Sequence, residues 1–289
     1  MRVGFLGLGL IGGSVARALR ASGGDWWVGA WTPVGTGPRA ALAAGAIDAA
    51  FDDAAALVAE SDVVVLAAPP VACVELLGLL GGVWRPALRP GVTVTDVAST
   101  KLALQQAAAH ARLPWVGGHP MAGRETSGFD AAEATLFHGR PWVITGAIGG
   151  GDPAVVRALA TACGAVPMEL EAAEHDGLVA AISHLPLLTS VALVESVTGS
   201  PGAAPADWAA ASALAASGWR DTTRLARGDT SMGAEIAATN AGPLAARLRA
   251  YRDAIDVWLE LLEAPGGPDA GAIRARLNAA KDRLEQRGG

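Results

Sequence analysis

The feature that most narrows the fold lies at the start of the chain. Residues 1–20 read MRVGFLGLGLIGGSVARALR. A short apolar run, Arg2 to Leu6, passes directly into the turn Gly7-x-Gly9-x-x-Gly12 and then into an amphipathic stretch. Between a strand and a helix, such a turn needs glycine for three separate reasons. Gly7 allows the tight turn, Gly9 lets a pyrophosphate approach the backbone, and Gly12 lets helix and strand pack closely. The helix beginning at Leu10 and Ile11 then offers free N–H groups and a positive dipole end to the phosphates. In a chain with 37 glycines the pattern alone is weak. Placed between a first strand and a first helix, it meets the context that dinucleotide binding requires.

The rest of the first half supports that context. Apolar runs RVGFL, WWVGAW, DVVVLAA, GVTVTDV, PWVGG and PWVIT alternate with amphipathic segments at 12–21, 71–80 and 101–111. Continuous apolar strands separated by helices predict a parallel sheet covered on both faces. DPAVVRALATACGAVPMEL adds one more helix and strand. After about Leu170 the pattern is helical only. EAAEHDGLVAAISHLPLLTSVALVESV reads as one long helix, and Pro186 inside it predicts a kink near Ser183. Further helices are expected at 207–216, 231–240, 244–263 and 271–286. The fold class is therefore α/β: a Rossmann-type dinucleotide-binding domain over 1–170, then an all-α domain over 171–289. The long apolar helices of the second part predict a helical homodimer interface.

Composition removes other classes. The formal charge is −6, with no cluster of Lys and Arg to neutralise phosphates, so nucleic acid is not an expected partner. Cys73 and Cys163 form no C-x-x-C pair and sit in apolar surroundings, which argues against disulfides and thiolate metal sites; no metal is expected. The N-terminus lacks the pattern of a signal peptide, and no run reaches the ~18 apolar residues of a membrane span. A reducing, cytoplasmic setting without membrane contact is expected.

The second strand leaves the cofactor open between NAD and NADP. An acid at its end would hold the ribose 2′-OH. Here Trp31 and Thr32 stand at that place. Thr32 can donate to a 2′-phosphate and Arg39 can pair with it; Arg39 reads equally well as a solvated helix residue. Ala68, Pro69 and Pro70 fall at the carboxyl end of another strand, where such sheets bind ligands.

Chemistry-bearing residues follow in DVASTK (Ser99, Lys101), GGHPMAGRETSG (His119, Glu125), ISHLP (Ser183, His184) and SGWRDTTRLA (Asp221, Arg224). The first two segments end strands and the others lie on helices, an arrangement that lines a substrate cleft. With GLGLIGGS before them and Asn240 after, the order and spacing of this set resemble the prephenate/arogenate dehydrogenases of tyrosine biosynthesis over nearly the whole chain.

That resemblance implies oxidative decarboxylation of a cyclohexadienol, with hydride passing to NAD(P)+. His119 matches the family's catalytic histidine, whose neutral imidazole accepts the ring hydroxyl proton. Ser99 matches the serine linking hydroxyl, histidine and nicotinamide. Arg224 matches the arginine that holds a substrate carboxylate. Glu125 and Asp221 match acids around the entrance, and Ser183 and His184 match a substrate-side pair. His110, His138 and His175 match no such role and are read as surface or structural.

Two positions depart from the family pattern. Leu187 replaces the second histidine of SHLPH, and Gly233 stands where many relatives carry Trp. Both bear on the choice between prephenate and arogenate. Feedback by tyrosine is expected to act at the active site, since the helices are followed by no stretch sized for a regulatory domain. Two other readings compete. A 3-hydroxyacid dehydrogenase would use a lysine on the helical domain, which here holds only Lys281. A non-catalytic dinucleotide sensor would need no positioned base.

Overall fold

The computed structural model describes residues 1–124, 126–199 and 208–286. Strand β1 (Arg2–Leu6) enters helix α1 (Leu10–Ala21) through the glycine turn. The alternation continues through β2 (Trp27–Trp31), α2 (Thr36–Ala43), β3 (Ala49–Phe51), α3 (Ala54–Ala59), β4 (Val63–Leu66), α4 (Pro70–Gly81), β5 (Thr93–Asp96), α5 (Leu102–His110) and β6 (Trp115–Val116). These strands form a parallel sheet in the order β3-β2-β1-β4-β5-β6. The order reverses between β1 and β4, and ligands of open α/β sheets bind at that reversal.

Both faces are buried, which is why the strands read as continuous apolar runs. Val3, Phe5, Val28 and Val65 pack with Val15 and Leu19 of α1 on one side. Leu6, Val64, Leu66 and Val94 pack with Leu57, Leu77 and Leu104 on the other. At ~25 cal/mol per Å² of apolar surface removed from water, these two layers dominate the stability of the sheet.

The expected strand PWVGG is broken in the structure. Its first part is β6. After Gly117 the chain leaves the parallel sheet, and β7 (Gly118–Pro120) pairs antiparallel with β8 (Pro141–Thr145). Helix α6 (Pro153–Ala162) then leads to β9 (Val166–Leu170), parallel to β8, so the second sheet runs β7-β8-β9. Sterics explain both glycines at the break. A Cβ on Gly117 would fall 2.3 Å from Thr145 Oγ1, and one on Gly118 would fall 2.5 Å from the Asp96 carbonyl oxygen.

The helical segments are α7 (Ala172–Val179), a π-helical turn (Ala180–His184), α8 (Leu185–Thr198), α9 (Trp208–Ala213), α10 (Ser217–Thr222), α11 (Thr230–Thr239), α12 (Ala241–Leu262) and α13 (Ala270–Glu285). Where the sequence predicts a kink near Ser183, the chain forms this π turn, which contains Ser183 and ends two residues before Pro186. A π turn absorbs the hydrogen bond that the proline cannot donate. By length and composition alone, the stretch Ala172–Thr198 is apolar enough to cross a membrane, with a mean hydropathy of 1.9. It nonetheless carries buried His175, Asp176 and His184, all hydrogen-bonded to other parts of the fold.

The chain divides into two compact units, Met1–Pro243 and Leu244–Gly289. The first contains both sheets and the helices through α11. Within the second, Arg276 donates to the Ala254 carbonyl at 3.0 Å and its guanidinium lies over the Trp258 ring.

Candidate active site

The glycine turn has the shape that a dinucleotide needs. Gly7 sits at φ +100°, and a Cβ there would fall 2.4 Å from the Ala67 carbonyl oxygen. A Cβ on Gly12 would fall 2.8 Å from Ala67 Cβ, so α1 lies close against β4. Gly9 is different: a Cβ there would meet nothing within 4 Å. The steric reason for Gly7 and Gly12 is internal packing; Gly9 faces open space that a diphosphate fits. No side chain caps α1 and its first turn has no acid, so the N–H groups of Leu10, Ile11 and Gly12 face that space without a competing carboxylate. Ala68 and Pro69 follow β4 on the other side of the reversal. These residues fit NAD(P).

Beyond β2, Thr32 Oγ1 accepts the Gly35 N–H at 2.9 Å and Arg39 donates to the Val34 carbonyl at 2.9 Å. Arg39 also stands 3.8 Å from the fully exposed Asp52 carboxylate. The loop is thus ordered by its own contacts, and no acid occupies positions 31–35.

His119 lies on β7, opposite Val143 of β8, and is partly buried. Its Nδ1 is 2.8 Å from His175 Nε2, and His175 Nδ1 is 2.8 Å from Asp176 Oδ1. His175 is 1% exposed and Asp176 is also 1% exposed. The Asp176 carboxylate is held by the start of α5: Oδ1 accepts the Lys101 N–H at 2.8 Å and Oδ2 the Leu102 N–H at 2.9 Å. His175, which matches no motif and reads from the sequence as surface or structural, lies against His119.

Lys101 is fully buried and its ammonium pairs with Asp96 at the end of β5. It also donates to the Gly118 carbonyl at 2.7 Å, the peptide group preceding His119. Burial pushes the Asp96 carboxyl above its usual range, against the opposing pull of Lys101. Burial acts oppositely on His119: it, then the Lys101 charge, then His175 and His184, holds the imidazolium well below the usual histidine range. His119 is therefore neutral at physiological pH.

His184, 2% exposed, lies at the end of the π turn. Asn240 Nδ2 donates to the Asp176 carbonyl at 2.9 Å and stands 3.0 Å from His184 Nδ1. An amide nitrogen can only donate, so His184 accepts at Nδ1 and carries its proton on Nε2. Burial brings its pKa down to about 4, with Asp176 opposing. The cluster thus pairs a histidine positioned to accept with one positioned to donate.

Other expected residues are more dispersed. Ser99 lies partly buried in the β5–α5 turn, two residues before Lys101. Ser183 is exposed on the π turn. Asp221 is exposed on α10, whereas Arg224 lies beyond that helix and not on it: α10 ends at Thr222, and Arg224 precedes the 3₁₀ turn Leu225–Arg227. That turn is tied to α8 by the Ala226 N–H donating to Ser190 Oγ at 3.1 Å. Glu125 lies outside the described residues. The two departures from the family pattern are neighbours, since a Cβ on Gly233 would stand 3.4 Å from Leu187 Cδ2. His175, Asp176 and Asp96 were missed as site residues. The signal available was EHD about two turns before ISH, which puts acid–base groups on one apolar helix.

Comparison with known proteins gives matches over most of the chain. Residues 15–166 match the family model described as prephenate dehydrogenase, nucleotide-binding domain, and residues 171–269 match prephenate dehydrogenase, dimerization domain. The chain is 31% identical over 262 residues to a prephenate dehydrogenase of Bacillus subtilis, covering 89% of this chain and 67% of that protein. It is 30% identical to a cyclohexadienyl dehydrogenase of Zymomonas mobilis, covering 84% of this chain and 82% of the relative. Among solved structures, a Synechocystis arogenate dehydrogenase superposes with a TM-score of 0.78 at 31% identity, covering 98% of this chain and 100% of that one.

Proposed function

Because this chain belongs to the prephenate dehydrogenase family, we propose that it converts prephenate to 4-hydroxyphenylpyruvate in tyrosine biosynthesis, using NAD(P)+. The observation that carries the reading is His119: a neutral, partly open imidazole with Nδ1 engaged by His175, leaving Nε2 for a substrate hydroxyl. The bound nicotinamide supplies the hydride acceptor. Gly7, Gly9, Leu10, Ile11 and Gly12 hold its diphosphate, with Thr32, Ala68 and Pro69 along the same crevice. His119 takes the hydroxyl proton as the ring carbon is oxidised. After carbon dioxide leaves and its bonding pair enters the ring, the same proton returns to the phenolate oxygen. Ser99 orients that hydroxyl, Arg224 grips a substrate carboxylate, and Ser183, His184, Glu125 and Asp221 complete the substrate side.

The division of labour follows 1–170 for nucleotide and 171–289 for substrate and dimerisation. The protein works as a homodimer in the cytoplasm. The long helix Ala172–Thr198 supports the dimer, since its most apolar window is only 22% buried within one chain. Ile255, Leu259 and Leu262 on α12 are also exposed. Arogenate is the second candidate substrate, favoured by the likeness to the Synechocystis enzyme along the full chain.

A matrix of steady-state rates, prephenate and arogenate each with NAD+ and NADP+, tests the reading. Prephenate is expected to turn over with equal yields of carbon dioxide and reduced nicotinamide. His119→Asn should lose ~10²–10⁴-fold in kcat with cofactor binding intact. No turnover in any of the four combinations, or a fully active His119→Asn, refutes it.

A further inference from the structure

We infer that His175 and Asp176 are positioning residues for His119, forming a relay that sets its tautomer and shares the proton it takes from the substrate. The inference rests on the reading of His119 as the base.

The tautomers follow from the far end of the chain. Asp176 accepts from the Lys101 and Leu102 N–H groups, so its carboxylate is set up as an acceptor at the N-terminus of α5. His175 Nδ1, 2.8 Å from Asp176 Oδ1, therefore carries a proton. With that nitrogen protonated, neutral His175 has a lone pair on Nε2, and this accepts the Nδ1–H of His119 across 2.8 Å. His119 Nε2 is then bare. A His119 ring protonated on Nε2 would put two lone pairs against each other at the His119–His175 contact.

The charges around the chain explain why a relay is needed. His119 faces Lys101, His175 and His184, and none of these favours a second positive charge there. Asp96, the anion nearest Lys101, is engaged by its ammonium. Asp176 is the anion on the far side of His175. When His119 Nε2 takes the substrate proton, its Nδ1 proton passes to His175 Nε2. The positive charge then rests on His175, bonded to Asp176. The reverse shift returns a proton from His119 Nε2 to the phenolate, so no proton is gained or lost over the cycle.

A purely structural reading would make His175 and Asp176 a staple between α5 and α7. His175→Gln separates the two. Its amide oxygen can still accept from His119 Nδ1–H, but the amide cannot take a proton. The relay predicts kcat down on the order of 10²-fold, with KM and cofactor affinity little changed. It also moves the acid limb of the kcat/KM profile to lower pH. The base works only when unprotonated, and the relay predicts that losing the Asp176-bound seat for the proton outweighs losing the opposition of His175 to charge on His119. A staple would change stability and leave that limb in place.

Nitrogen NMR of the histidine-labelled full chain reads the tautomer directly, without substrate. His119 protonated on Nδ1 is expected. His119 protonated on Nε2, or a His175→Gln variant with wild-type kcat and an unmoved acid limb, overturns the relay. Should the wild type turn over neither cyclohexadienol, the functional reading fails, and the NMR result still decides the relay.

Discussion

Replacing Lys101 with methionine tests how the buried charges support both fold and catalysis. Lys101 has no exposed surface, and its ammonium serves Asp96 and the Gly118 carbonyl. Methionine fills most of the volume but leaves Asp96 as a buried carboxylate without its cation. Removing one member of a buried pair costs about 3–5 kcal/mol. At roughly 2–4 °C per kcal/mol for a domain of this size, Tm should fall by roughly 6–20 °C. Urea denaturation followed by tryptophan fluorescence measures the loss. The double variant Asp96→Asn with Lys101→Met removes both charges, and should recover to within about 2 kcal/mol of wild type. A single variant losing under about 1 kcal/mol, or a double variant no better than the single, would refute the pair's role. A second readout is kinetic. Lys101 depresses proton binding at His119. Its loss raises that affinity, so the acid limb of the pH–rate profile must move to higher pH in the folded variant.

Three further outcomes are expected. Gly9→Ala should leave stability nearly unchanged, because its Cβ meets nothing, while weakening NAD(P) binding in a titration; Gly12→Ala should cost about 1–3 kcal/mol, because its Cβ meets Ala67 at 2.8 Å. His184 has a folded pKa of about 4 against an ordinary 6.5, so the unfolded chain binds more protons between those values and stability falls as pH drops; the full loss is about 3 kcal/mol, and His184→Gln should flatten the urea midpoint between pH 7 and 5. Ile255→Asp, on an exposed apolar position of α12, should shift sedimentation from dimer toward monomer at micromolar concentration.

Much of the fold was legible in the sequence because its causes are local. The strands RVGFL and PWVIT are observed at Arg2–Leu6 and Pro141–Thr145, since burial on both faces leaves an unbroken apolar run. The π turn was foreshadowed by Pro186, whose missing N–H acts within one turn. Failures came where the cause was distant. PWVGG reads as one strand, and only the Thr145 hydroxyl and the Asp96 carbonyl show why its glycines leave the sheet. Arg224 reads as helical from its spacing to Asp221, yet α10 stops at Thr222 and the following turn is tied to α8.

The same division runs through the site. The sequence by itself determined the nucleotide turn, the neighbourhood of His119 and the identity of the family, because each is written in consecutive residues whose sterics and spacing are self-contained. Tertiary structure decided what His119 can do. Its partner His175 is 56 positions away, and the Asp176 that receives His175 is anchored by the backbone of Lys101, 75 positions distant. Burial then set the charges: desolvation and the enclosed Lys101 ammonium keep the His119 ring neutral, and no local pattern of residues encodes either.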